Sequence, residues 1–233
     1  MPKKDLGTLP VEPQSDECRK GYLIFKAAFE TACELLSLYD NPGGKARGQG
    51  APSDAEQDVL RAMLVFAAAG LDSMVKQLIR DGLPAILKQS HDAKEKLVDH
   101  FSKRFNRDHN GAFEEVTRIL ICAKPREALV ERLIDDLTSK SLQSADEVYR
   151  VCEYLGLSQK KIIVDKKDLR NAFDVRQKIV HELDVDFSRT PKQGQRNRVL
   201  RKRGEMVNAV ACIFETAKTF LSQVDTAINH GNV

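Results

Sequence analysis

Tryptophan is absent from this chain, aromatic residues are only 6% of it, and no CxxC pair occurs. Each shortage removes a class of protein. The longest apolar run, Ala62 to Leu71, falls well short of the roughly 20 residues that span a bilayer, so no membrane partner is expected. The opening MPKKDLGTLPVEPQ has no hydrophobic signal core. Five cysteines (Cys18, Cys33, Cys122, Cys152 and Cys212) are odd in number and widely spread. Helical periodicity puts most of them on buried faces, which favours a reduced, cytoplasmic setting over a disulfide framework or a zinc site. His91, His100 and His109 are too far apart for one helical face, and neither HxxxH nor HExxH is present. They read as surface histidines, and neither a metal nor a cofactor is expected. Acidic pairs such as Glu114-Glu115 and Asp135-Asp136 lack any ligand pattern and read as solvated faces. There is no GxxxxGK[ST] loop, no internal repeat and no stretch of strand-like alternation.

What remains is rich in Ala, Leu, Lys, Glu and Arg, and its apolar residues recur at helical spacing. The expected fold is all-α, an antiparallel bundle of four to five long helices. A flexible lead over 1–14 precedes a single domain over 15–230, with a helical insertion or lid over 83–140. The first helix is expected from about Asp16 to Tyr39. Ser53-Asp54-Ala55-Glu56 is a capping box that opens the most hydrophobic helix, with Gly82 and Pro84 closing it. That helix is apolar on more than one face, so it is either central to the bundle or shared between two protomers. The middle of the chain is expected to hold short helices broken at Asn110-Gly111 and Pro125. Ser144-Ala145-Asp146-Glu147 is a second capping box, for a helix that stops at Gly156. The last helix is expected from about Asn197 to Asn229.

The stretch from Asp165 to Phe187 organises the rest. Asp165 can cap a helix on which Leu169, Ala172, Phe173, Ile179, Val180 and Leu183 form one apolar stripe. Arg176 falls near the middle of that stripe. A guanidinium there must be paired, hydrated or held for an anionic ligand. His181, five residues on, lies at the border of the polar side, where a long Arg and a His can converge on one small group. Gln177 sits one turn before His181 and can hydrogen-bond its ring. The structural alternative is a salt bridge from Arg176 to a carboxylate on its own or a neighbouring helix, with His181 simply solvated.

Charge is uneven. Between Ser188 and Arg203 lie Arg189, Lys192, Arg196, Arg198, Arg201, Lys202 and Arg203 with no acid, which leaves 30 basic against 34 acidic residues elsewhere. Since the stretch has no aromatic residue, it suits phosphate contact rather than base stacking.

The segment Arg176-Gln177-Lys178-Ile179-Val180-His181 resembles the R-x4-H signature of HEPN domains, an all-α family rich in metal-independent ribonucleases of toxin–antitoxin and antiviral defence systems. It departs from many active members at Gln177, where Asn, Asp or His is common. The resemblance implies an HEPN-like bundle and an endoribonuclease that uses the RNA 2′-hydroxyl as nucleophile. Arg176 and His181 would be catalytic, with Gln177 orienting His181. Two copies would build a composite site around one phosphate, and an antitoxin or sensor protein would restrain it. Arg170 and the basic residues over 189–203 would hold the flanking RNA backbone.

A rival reading comes from Cys152-x3-Gly156-Leu157-Ser158-x3-Ile162, which is spaced like the turn of a helix-turn-helix. It would make the chain a non-catalytic nucleic-acid-binding regulator or dimerisation module. The segment after that turn, QKKIIVD, has few side chains that pair with bases. An inert helical interaction protein is the third reading.

Overall fold

The computed structural model describes residues 5–44, 50–142, 144–162, 165–188, 190 and 197–230. The chain is all-helical: nine helices and a short 3₁₀ turn at Pro42–Gly44 occur among the described residues, with no strand beyond one isolated bridge. In order the helices are α1 (Asp16–Asp40), α2 (Asp54–Gln89), α3 (His91–Arg107), α4 (His109–Leu120), α5 (Pro125–Thr138), α6 (Ala145–Tyr154), α7 (Gln159–Ile162), α8 (Lys166–Glu182) and α9 (Arg203–His230).

Four of these form the core. Helix α2 opens on the expected capping box, with Ser53 and Glu56 exchanging side-chain and backbone bonds. Its residues Leu60, Met63, Leu64, Ala67, Leu71, Met74, Val75, Leu78 and Ile79 are all buried. It is therefore the central helix, and Phe66, 52% exposed, faces outward. Helix α1 runs antiparallel to it, bringing Gly21 to Leu78 and Gly70 to Ala28. Helix α9 runs parallel to α2, since Arg201 just before it meets Gln57 and Ile228 near its end meets Gln89. Helix α8 is antiparallel to α9. Asp184 just beyond its C-terminus bonds Val199, while Asp168 and Asp165 near its start join burial in pushing the Cys212 thiol up to about 11.

By length and mean hydropathy α2 could also cross a bilayer, but 56% of its most apolar window is buried inside the chain. It runs eight residues past the expected stop near Asp81, with Pro84 inside the helix. The proline costs one backbone hydrogen bond, that to the Arg80 carbonyl. Burial of Leu83, Ile86 and Leu87 offsets that loss, and Gly82 packs against Val224 and Ile228 of α9.

The N-terminal lead is not free over its described part. Leu6 is fully buried, Asp5 pairs with Arg203 at 2.8 Å, and Gln14 and Ser15 donate to Asp225. An extended chain from Asp5 to Gln14 reaches about 30 Å, and a helix from Arg203 to Asp225 rises about 33 Å. The lead is therefore a strap laid along α9. Few hydrophobic residues lie in it, but one leucine seated in the core and two carboxylate contacts are enough to order it.

Three further boundaries differ from the expectation. In the middle, the break falls at Asp108, whose side chain caps α4 through Gly111, rather than at Asn110-Gly111. Helix α9 begins at Arg203, because Val185 bridges Arg198 and Asn197 pairs with Asp186, keeping 197–199 extended. On α8, Leu169, Ala172, Phe173 and Ile179 are buried, but Val180 and Leu183 are exposed. Leu183 and Asp184 both take left-handed backbone conformations and end the helix, turning its last residues away from the core.

Glycine at position 70 is required by the approach of α1. A Cβ there would lie 2.3 Å from the Cβ of Ala28. Gly70→Ala should therefore destabilise the fold by about 1–3 kcal/mol despite alanine's better helix propensity. Chemical denaturation would measure it, and adding Ala28→Gly should recover part of the loss.

Candidate functional site

Helix α8 carries the candidate residues. Asp165 caps it through the backbone N–H groups of Lys167 and Asp168, as its sequence position suggested. The apolar face of Leu169, Ala172, Phe173 and Ile179 then fixes the helix's rotation against α2 and α9. Arg176 is half-buried. Its Nη1 is out of contact with solvent and makes no hydrogen bond, and no carboxylate among the described residues pairs with it. The salt bridge that was the structural alternative is thus absent from the described residues. Gln177 is half-buried, and His181 is exposed without a hydrogen bond or ion pair to any described residue. The helix accordingly presents an unspent, partly dehydrated cation and an accessible imidazole within about one and a half turns.

Four apolar side chains are exposed at the end of α8 and in the segments that follow it. Val180, Leu183, Phe187 and Leu200 are 39%, 62%, 80% and 59% exposed. The register of the Val185–Arg198 bridge sets Leu200 opposite Leu183.

The basic stretch behaves differently from an open phosphate-binding face. Arg201 donates to both oxygens of Asp184, whose side chain is wholly excluded from solvent. Arg61 of α2 donates Nε to the same carboxylate at 2.9 Å, Nη1 to Asp58 and Nη2 to the Val199 carbonyl. Arg198 bonds the Leu183 carbonyl and pairs with Asp58. Arg203 forks onto Asp40 and reaches Asp5. Arg170 pairs with Asp146 of α6, and Lys202 with Glu205 of its own chain segment. Arg170, Arg198, Arg201 and Arg203 therefore already hold carboxylates, while Lys202 is the most exposed of the five. Arg189, Lys192 and Arg196 lie outside the described residues.

The Arg61–Asp184–Arg201 lock was invisible in the sequence. Arg61 and Asp184 lie 123 positions apart, so no local pattern pairs them. Burial alone would raise the Asp184 carboxyl, but the Arg201 and Arg61 hydrogen bonds outweigh it and hold the carboxyl below the usual carboxylate range.

His100 also departs from the surface reading. It sits between Tyr154 of α6 and Asp136 of α5, 3.0 Å from each. Asp136 and Glu115 are not solvated faces either, because Arg104 and Arg132 bridge both. These groups come from four helices, so no single-helix period could bring them together. Among the described residues no group of three or more His, Cys, Asp or Glu could hold a metal. Cys18, Cys33 and Cys152 are buried and Cys122 is exposed. Burial pushes the Cys18 and Cys152 thiols up to about 12, against nucleophilic use.

The helix-turn-helix spacing resolves into α6, a left-handed Gly156 and the single turn α7. Four residues rise only about 6 Å, too little for a recognition helix lying in a major groove. A comparison with protein-family models, with curated proteins and with solved structures finds no match to this chain.

Losing the Asp184 charge should unfasten the end of α8. Asp184→Ala should cost about 3–5 kcal/mol, because two guanidiniums would be left buried without their partner. The folded carboxyl titrates below its unfolded value of about 3.9, so the lock's contribution is complete above that pH and is lost as pH falls through the lower, folded value. Thermal melts between pH 7 and pH 2.5 should show a steeper acid loss in the wild type than in Asp184→Asn.

Proposed function

We propose that this chain is a metal-independent endoribonuclease whose working residues are Arg176 and His181 on α8. The observation that carries the reading is the unpaired, half-buried Arg176, with a solvent-excluded Nη1, beside the exposed His181. A dehydrated guanidinium without a carboxylate is costly, and a phosphate is a ligand that would repay it with two charge-assisted hydrogen bonds. The resemblance of this segment to the R-x4-H signature of HEPN domains supports the same chemistry.

In that reaction the ribose 2′-oxygen attacks the adjacent phosphorus while His181 removes its proton. The bond from phosphorus to the 5′-oxygen breaks, and that oxygen must receive a proton as it leaves. The products are a 2′,3′-cyclic phosphate and a 5′-hydroxyl. Arg176 stabilises the added negative charge on the pentacoordinate phosphorus. One imidazole cannot stand at both ends of the displacement, so the reading calls for a second copy of the chain to bring its own His181. The exposed Val180, Leu183, Phe187 and Leu200, at the end of α8 and in the segments after it, would supply an apolar surface for that copy.

The expected hydrogen bond from Gln177 to the His181 ring is not formed in this structure, so the reading rests on Arg176 and His181 alone. Flanking RNA would be held by Lys202 and by Arg189, Lys192 and Arg196, since Arg170, Arg198, Arg201 and Arg203 are engaged with carboxylates. In the cell such an activity would serve as a toxin or antiviral effector under the control of an antitoxin or sensor protein. The same apolar surface would serve a non-catalytic dimerisation module, which is the second reading.

Purified protein incubated with transfer RNA and a single-stranded RNA in EDTA should leave cyclic-phosphate ends. Arg176→Ala and His181→Ala should each lower the rate by at least about 100-fold with unchanged thermal melts. Full cleavage by both variants would sink the assignment. A dimer in sedimentation that leaves RNA intact would favour the dimerisation module.

A further inference from the structure

Away from α8, a groove of about 420 Å³ runs between the second half of α2 and helix α5. Its floor is aliphatic: Pro84 and Leu87 from α2, Val130 and Ile134 from α5. Leu87 is buried, and Val130 and Ile134 pack on the core while still lining the groove. The rim carries Arg80, Lys88 and Arg126, all exposed and without an ion pair to any described residue. Two acids, Glu127 and Glu131, share the rim, but Lys124 offsets them: it binds Glu127 at 2.8 Å and is also held in the field of Glu131. The uncompensated charge at this groove is therefore positive.

We propose that this groove binds an acyl chain with an anionic head, of the medium-chain carboxylate class. Size, floor and rim each narrow the choice. The volume is that of a small-molecule site. The floor has no aromatic ring, which removes the stacking surface a nucleobase would use. From Arg80 to Lys88 the helix rises about 12 Å, the reach of a roughly ten-carbon chain. Laid along Pro84, Leu87, Val130 and Ile134, such a chain buries aliphatic surface at about 25 cal/mol per Å², and its carboxylate meets the guanidinium forks of Arg80 or Arg126.

Sodium decanoate titrated into the full chain, below its micellar concentration, should give saturable binding of one molecule per chain. Neutral octyl glucoside should bind at least tenfold more weakly. Val130→Trp, which fills the floor, should abolish decanoate binding. The double variant Arg80→Glu, Arg126→Glu changes only exposed positions; it should weaken binding at least tenfold and reverse its salt dependence, since the rim becomes net negative. Should Val130→Trp fail to fold, the double variant alone decides the matter. No saturable uptake of decanoate, or equal binding of octyl glucoside, would overturn the proposal, as would decanoate affinity unchanged in the double variant.

Discussion

A carboxylate with no access to water must find its counter-charge inside the protein, and Asp184 finds two. Arg61 reaches it from the central helix and Arg201 from the segment before the last helix, so one charge joins three parts of the chain far apart in sequence. Much of the architecture near the candidate site follows. The left-handed turn at Leu183 and Asp184, a conformation that costs an L-residue about 1–2 kcal/mol, is held by these bonds. The extended run from Asn197 to Val199 exists because its backbone pairs with Asp184 and Asp186. The outward aim of Val180 and Leu183 is set by where the turn falls.

The lock also changes what the basic stretch is for. Seven cations without an acid look like a surface for a polyanion, yet Arg198, Arg201 and Arg203 spend their charge on Asp58, Asp184, Asp40 and Asp5. Local charge density in sequence is therefore no measure of free charge in space. Arg176 shows the opposite case. It sits among acids and lysines in sequence, and among the described residues it has no partner. A buried pair offsets its desolvation with hydrogen bonds; a lone, half-buried guanidinium has no such compensation among the described residues.

The remaining helices are tied to this core by polar networks as much as by apolar packing. The cluster of His100, Asp136, Arg104, Arg132 and Glu115 joins α3, α4 and α5, with Tyr154 bringing in α6. The N-terminal strap closes α9 from one end to the other through Asp5 and Asp225. Both devices use charged side chains to fasten segments that bury little apolar surface of their own.

The sequence by itself determined the all-helical class, the two capping boxes at Ser53 and Ser144, the Asp165 cap, the stop at Gly156 and the central role of the helix that begins at Asp54. All of these rest on interactions within four residues or on apolar periodicity along one helix, and both are written in local order. It also placed Arg176 and His181 on one helix, five residues apart. Only the tertiary structure decided that Arg176 has no carboxylate partner among the described residues while Arg201 has one, that Pro84 is carried inside a helix, and that Leu6 belongs to the core. It alone decided the partner of Asp184, 123 positions from Arg61. Such pairings depend on which helix faces come together, and that is settled by the summed burial of the whole chain rather than by any stretch of it.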